Sequence, residues 1–195
     1  NLMKTDIVLA GVGGQGILSI AATIGMAALE NNLYLKQAEV HGMSQRGGAV
    51  QSHMRLSDNE ILSDLIPQGS ADIILSVEPM ESLRYLPFLS PEGWLVTNTK
   101  PYKNINDYPE ESEILSQIEK FERHIALNAD EIAAEIGSRR SSNIVMLGAA
   151  SPFFQLPFES FKEGIRKIFA RKGEKIIDVN IKALEAGREF ADKRM

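Results

Sequence analysis

Read for its apolar and polar positions, the chain alternates short apolar runs with longer segments of helical period, the pattern of a sheet covered by helices. Residues 6–10, Asp-Ile-Val-Leu-Ala, form a continuous apolar run of the kind seen in strands buried on both faces. A glycine-rich stretch follows. Residues 17–30, rich in Ala, Leu, Ile and Met, then predict a helix that Asn31-Asn32 stops. Residues 33–38 predict a second strand, and residues 39–48 fit neither period and read as a functional loop. From residue 49 to 56 the pattern alternates, with Val50, Ser52, Met54 and Leu56 on one side and Gln51, His53 and Arg55 on the other, so an extended strand with one polar face is expected.

Further on, residues 71–77 and 94–98 predict buried strands. Between them lie a helix opened by Pro79 and closed before Pro87, and a turn at residues 90–93. Residues 100–109, with two prolines, two tyrosines and two asparagines, read as a surface loop or an edge excursion. An amphipathic helix over 111–121 turns Ile114, Leu115 and Ile118 inward, residues 124–127 form a short strand, and Asn128 caps a helix over 129–136 that Gly137 ends. The remainder, 142–150, 158–169 and 174–194, is helical. The expected fold is therefore α/β: a Rossmann-like, doubly wound, mostly parallel sheet with helices on both faces and a helical C-terminal third. No repeat or linker divides it, so one domain is expected from Met3, read as the natural start after Asn1-Leu2, to Met195.

Composition narrows the function. The 195 residues include no cysteine, which excludes a disulfide scaffold, a thiolate zinc site, a cysteine nucleophile and a cluster ligated by this chain in the usual way. A net charge of −5 with scattered Lys and Arg argues against nucleic acid. The mean hydropathy of −0.13 and the lack of any run of 18 apolar residues predict no transmembrane helix. Nothing near residue 1 resembles a signal peptide, so the cytoplasm is the expected location.

Two loops carry candidate chemistry. Gly11, Gly13 and Gly16 keep the G-x-G-x-x-G spacing directly between a strand and a helix, where free N–H groups attract an anion; the alternative is a turn serving only close strand-to-helix packing. A nicotinamide dinucleotide further requires an acid after the second strand, for which Glu39 is the candidate. The extra Gly14, the amide of Gln15 and the polar loop after Glu39 depart from that pattern and disfavour the dinucleotide. The second loop holds Glu39, His41, Ser44, Gln45 and Arg46 ahead of Gly47-Gly48. Arg46 beside exposed glycine N–H groups suits a carboxylate or phosphate, and His41 suits proton transfer; a metal on His41 and His53 lacks a carboxylate at ligand spacing, so none is expected. A solvated loop whose arginine pairs with a local acid is the plain alternative. Glu78 and Glu81 follow a strand and read as acids at a helix start. P-loop, nucleophile-elbow and Gly-Asp-Gly thiamine motifs do not occur.

"DIVLAGVGGQG" from Asp6 to Gly16, together with "EVHGMSQRGGAVQSHMRL" from Glu39 to Leu56, resembles the gamma domain of the 2-oxoacid:ferredoxin oxidoreductases. The resemblance continues through "ADIILSVEPMESLRYLPFLSPEGWLVTNT", from Ala71, and "SSNIVMLGAA", from Ser141. Pyruvate-type members tend to carry Tyr-Gly and Glu-x-Arg-Gly-Gly where this chain has His41-Gly42 and Gln45-Arg46-Gly47-Gly48, which favours the indolepyruvate or arylpyruvate branch. The family implies a small subunit beside a larger alpha subunit that carries thiamine diphosphate, magnesium and iron–sulfur clusters. Such a complex decarboxylates a 2-oxoacid oxidatively, transfers the acyl group to coenzyme A and reduces ferredoxin. Under it, His41 and Arg46 are the candidate catalytic residues, and Gly11, Gly13, Gly14, Gln15, Gly16, Glu39, Gly47 and Gly48 the candidates for holding an anionic cofactor group. No cofactor is held by this chain alone, and a homodimer is left open. Two alternatives stand beside it: an independent nucleotide-dependent oxidoreductase, and a non-enzymatic assembly module using Phe153, Phe154, Phe158 and Phe161 as its interface, residues that otherwise read as core.

Overall fold

A computed structural model describes residues 2–41 and 48–195, the side chain of His41 excepted. Six strands, β1 (Lys4–Val12), β2 (Tyr34–His41), β3 (Ala49–Ser57), β4 (Ala71–Ser76), β5 (Leu89–Asn98) and β6 (His124–Leu127), form one sheet in the order β2-β3-β1-β4-β5-β6. The block β1, β4, β5 and β6 is parallel, while β3 runs antiparallel between β1 and β2. The sheet is therefore mixed and mostly parallel. Alternation along β1 explains its unbroken apolar run: Ile7 and Leu9 enter one apolar core, Val8 and Ala10 the other.

Helices cover both faces. α1 (Ile17–Glu30) lies on the first face, where Gly16 opens it and Asn32, at φ 56°, turns the chain away after it. α2 (Pro79–Arg84) and α3 (Glu111–Glu119) cover the second face through Tyr85, Ile114 and Ile118. α4 (Ala129–Glu135), α5 (Ser142–Ala150), α6 (Phe158–Ile168) and α7 (Glu174–Asp192) join α1 on the first. From Ile144 to Ala150 every residue of α5 is buried, because α7 crosses it where Gly148 and Gly187 stand in for side chains. The aromatics of this region are core: Phe153 stacks on Trp94 with centroids 4.1 Å apart, and Phe154 meets Phe161 edge-on at 5.2 Å.

The strand boundaries differ most from expectation in three places, the first being β1, which spans Lys4–Val12 rather than residues 6–10 and takes Gly11 into the strand. β2 runs on to His41, pairing Glu39 with Ser52, Val40 with Gln51 and His41 with Val50. Glu39 and His41, expected in the loop, thus belong to an edge strand, which needs no apolar face, and residues 42–47 of that expected loop lie outside the described residues. β5 starts at Leu89, which pairs with Ala71, and the expected turn at residues 90–93 is an irregularity before Trp94 pairs with Ile73. At the sheet end where β1 begins, buried Asp6 binds Arg55 Nε at 2.9 Å and Lys4 Nζ at 2.8 Å. Arg55 also donates to the carbonyls of Ser63 and Leu65, at 3.0 and 3.1 Å, pinning the connection from β3 to β4.

Candidate anion-binding cleft

At the opposite end β1 runs into the glycine loop. Gln15 closes that loop on itself: its Oε1 accepts from Val12 N at 2.7 Å and its backbone N donates to Val12 O at 3.2 Å. An amide at this position therefore has a local structural task. Gly13 N donates to Gly48 O at 3.0 Å, so the two loops that stand apart in the sequence are joined at their backbones. Gly16 then adopts φ 81° as the residue before α1, and Asn143 Nδ2, from the first turn of α5, donates to its carbonyl at 3.0 Å.

That bond brings the starts of two helices to one cleft of about 310 Å³. Its walls are Gly14 to Gly16, Asn98, Asp130, Arg139 and Arg140, with Ser142 and Asn143. Asn98 is its keystone: Nδ2 donates to Val77 O at 3.3 Å and Asp130 Oδ1 at 3.1 Å, while Oδ1 accepts from Lys100 N at 3.2 Å and Ala129 N at 3.0 Å. One buried side chain thus ties the ends of β4 and β5 to the start of α4. Arg139 and Arg140 sit on the single 3-10 turn leading into α5, exposed, and among the described residues neither guanidinium forms an ion pair or hydrogen bond. Two guanidinium groups, two helix N-termini and one carboxylate give the cleft a positive balance suited to an anion.

The sequence candidates distribute unevenly over this site. Gly14, Gln15 and Gly16 line it. Gly11 is a buried residue of β1, paired with Val50 and packed against Val77, and the Gly13 N–H is occupied by Gly48 rather than turned to a ligand. Glu39 lies on β2 opposite Ser52, with β3 between it and β1, so it does not stand beside the glycine loop as a ribose acid would. Arg46 and Gly47 lie outside the described residues, as does the side chain of His41. His53 is no partner for a metal: its Nδ1 accepts from Ile66 N at 3.1 Å and its Nε2 meets Gln51 Oε1 at 3.1 Å. Burial first, and then the charge of Arg55, hold its pKa below the ordinary 6.5. Glu78 caps α2, accepting from Glu81 N at 2.9 Å and from the Tyr108 hydroxyl, whose pKa is raised by burial and by that bond. Glu81 chelates Arg84 at 2.8 and 3.2 Å.

Arg139, Arg140, Asn98, Asp130 and Asn143 were not legible as site residues. One signal was available: two arginines directly before an apolar helix sit where the helix dipole disfavours cations, a placement that a bound anion explains.

Comparison with known proteins agrees with this architecture. Residues 6–190 match the family model for pyruvate ferredoxin/flavodoxin oxidoreductase. The indolepyruvate oxidoreductase subunit IorB of Archaeoglobus fulgidus is 39% identical over 194 residues, covering 95% of this chain and 94% of that protein. The ketoisovalerate oxidoreductase subunit VorA of Methanothermobacter marburgensis is 32% identical across 98% of this chain, which spans only 37% of that longer subunit. Among solved structures, the 2-oxoglutarate:ferredoxin oxidoreductase from Magnetococcus marinus, with 2-oxoglutarate, coenzyme A and succinyl-CoA bound, superposes with a TM-score of 0.76 at 24% identity. The match covers 98% of this chain and 31% of that one, and it shows a shared fold.

Proposed function

The chain belongs to the pyruvate ferredoxin/flavodoxin oxidoreductase family, and from that premise we propose that it is the cofactor-free subunit of an indolepyruvate-type 2-oxoacid:ferredoxin oxidoreductase. It is one gamma-type domain, from Met3 to Met195, working in the cytoplasm beside a larger alpha subunit. The complex takes an arylpyruvate, releases carbon dioxide, transfers the acyl group to coenzyme A and passes two electrons to ferredoxin. The observation that carries this reading is the 39% identity to IorB over nearly the full length of both proteins.

Thiamine diphosphate, magnesium and the iron–sulfur clusters belong to the larger subunit. This chain has no thiolate to ligate a cluster and no Gly-Asp-Gly thiamine motif, so its residues do not fit those groups. What it offers is the cleft. Arg139, Arg140 and the starts of α1 and α5 hold an anionic group of coenzyme A or of the larger subunit's cofactor region, and His41 and Arg46 are assigned to the reaction on their residue chemistry. A stand-alone dinucleotide enzyme is disfavoured, because Glu39 is separated from the glycine loop by β3 and the Gly13 N–H is already engaged.

The test is turnover of the reconstituted complex with Arg139→Ala/Arg140→Ala and, separately, His41→Ala and Arg46→Ala. Loss of two charge-assisted contacts corresponds to about 3 kcal/mol or more, a rise of roughly 100-fold or more in the KM for coenzyme A or an equivalent fall in kcat. Unchanged KM and kcat in the double arginine variant would refute the role given to the cleft.

A further inference from the structure

α1 shares with the buried α5 a lack of charged side chains: no Asp, Glu, Lys or Arg occurs in α1 before Glu30, whereas α3, α6 and α7 carry charged outer faces. Yet α1 is not wholly buried. Leu18 (67% exposed), Ala22 and Leu29 (59%) recur at helical spacing and form an apolar stripe open to solvent. The side of α1 that meets the sheet adjoins β2, where Gly25 touches Leu35. Among the described residues β2 is the sheet's outermost strand and its ladder is with β3, so its outer edge from Tyr34 to Ala38 is open. Since Leu35 faces α1, Tyr34 and Val40, of the other parity, face the opposite side, and both are about half exposed (53% and 47%). Apolar groups thus flank the same open edge from above and below. Between Tyr34 and Val40 stands Lys36, opposite Arg55 of β3 and without an acidic partner among the described residues.

We propose that the outer edge of β2, with the Leu18–Ala22–Leu29 stripe above it, is the docking surface for an extended segment of the larger subunit, added as a seventh strand. This rests on the function proposed above. The chemistry of the occupant follows from the surface: apolar side chains on both faces, as in a strand buried on two sides, and a carboxylate opposite Lys36. Permanent contact is what the family architecture calls for, because in VorA the matching stretch is only 37% of one continuous chain, and obligate interfaces are the apolar ones. The stripe also begins at Leu18, two residues after Gly16, so it continues the edge that holds the cleft. A second copy of this chain fits less well. In antiparallel self-pairing opposed residues share parity, and the register that sets Tyr34 against Val40 brings the two Lys36 residues diagonally together.

Hydrogen exchange on the isolated subunit and on the complex with the larger subunit reads this directly. The outward amides between Tyr34 and Val40 are expected to exchange at least roughly tenfold more slowly in the complex. Ala22→Glu/Leu29→Glu, at exposed helix positions, is expected to keep its circular dichroism and melting temperature while weakening assembly by roughly 100-fold, as two charges forced into an apolar contact would. Lys36→Glu should weaken it as well. An assembled, active complex with unprotected β2 amides overturns this inference alone. Protection of the same amides by self-association overturns it in favour of a second copy, and failure of the wild-type subunits to assemble overturns the parent reading with it.

Discussion

Gly16 joins the glycine loop to α5, and replacing it by alanine tests that joint quantitatively. At φ 81° an L-residue costs about 1–2 kcal/mol. An added Cβ also comes within 2.5 Å of Asn143 Nδ2, so the amide must swing away and its 3.0 Å bond to the Gly16 carbonyl is lost. That bond contributes about 1 kcal/mol. Gly16→Ala is therefore expected to destabilise by about 2–3 kcal/mol, lowering the melting temperature by roughly 4–12 °C in a chain of this size. Asn143→Ala alone removes only the bond, about 1 kcal/mol. The double variant has no clash left to relieve and no bond left to lose beyond the first, so it should also lie about 2–3 kcal/mol below wild type, short of the sum of the singles by about 1 kcal/mol. Guanidinium denaturation of the four proteins measures this coupling. Strict additivity, or a Gly16→Ala variant as stable as wild type, would refute the assigned geometry.

Other consequences follow from the same contacts. At the crossing of α5 and α7 a Cβ on Gly187 would meet the Val145 carbonyl, backbone against backbone. Gly187→Ala is expected to destabilise by about 2 kcal/mol despite a gain of about 1 kcal/mol in helix propensity, and thermal melting checks it. His53 is held neutral in the fold with its pKa below 6.5. The unfolded chain thus binds the extra proton first, and stability present above pH 6.5 declines as pH falls toward the depressed folded value. Urea midpoints of His53→Gln across this window should show a flatter slope than wild type. Tyr108→Phe deprives the buried Glu78 carboxylate of a donor and should cost about 1.5–3 kcal/mol, with faster proteolysis of residues 99–110.

The sequence was most informative where local chemistry decides the outcome. α1 has its expected ends because a left-handed Gly16 opens it and Asn32 turns out of it, and β6 is bounded as expected between α3 and the Asn128 cap. β3 was legible as a strand but not in direction or neighbours, since alternation records which faces are buried and not what lies alongside. β2 outruns its apolar stretch because an edge strand has no need of apolar residues at Glu39 and His41. In the cleft, the glycines stand out through their spacing. Arg139, Arg140 and Asn143 come from more than a hundred residues downstream, and only the packing of α5 beside α1 brings them there. Gly13 shows the opposite: a motif position suited to a ligand spends its N–H on Gly48, a contact that no spacing rule anticipates.

The central claim, that this chain completes an enzyme whose redox centres lie elsewhere, is tested most directly by reconstitution. The proposed larger subunit, supplied with thiamine diphosphate, magnesium and iron–sulfur clusters, this chain, and their mixture would each be assayed for ferredoxin reduction with indolepyruvate and coenzyme A. The account predicts no activity from this chain, little from the larger subunit, and full coenzyme A-dependent turnover from the mixture. Equal turnover with and without this chain, or tight binding of a nicotinamide or flavin cofactor by this chain alone, would contradict it.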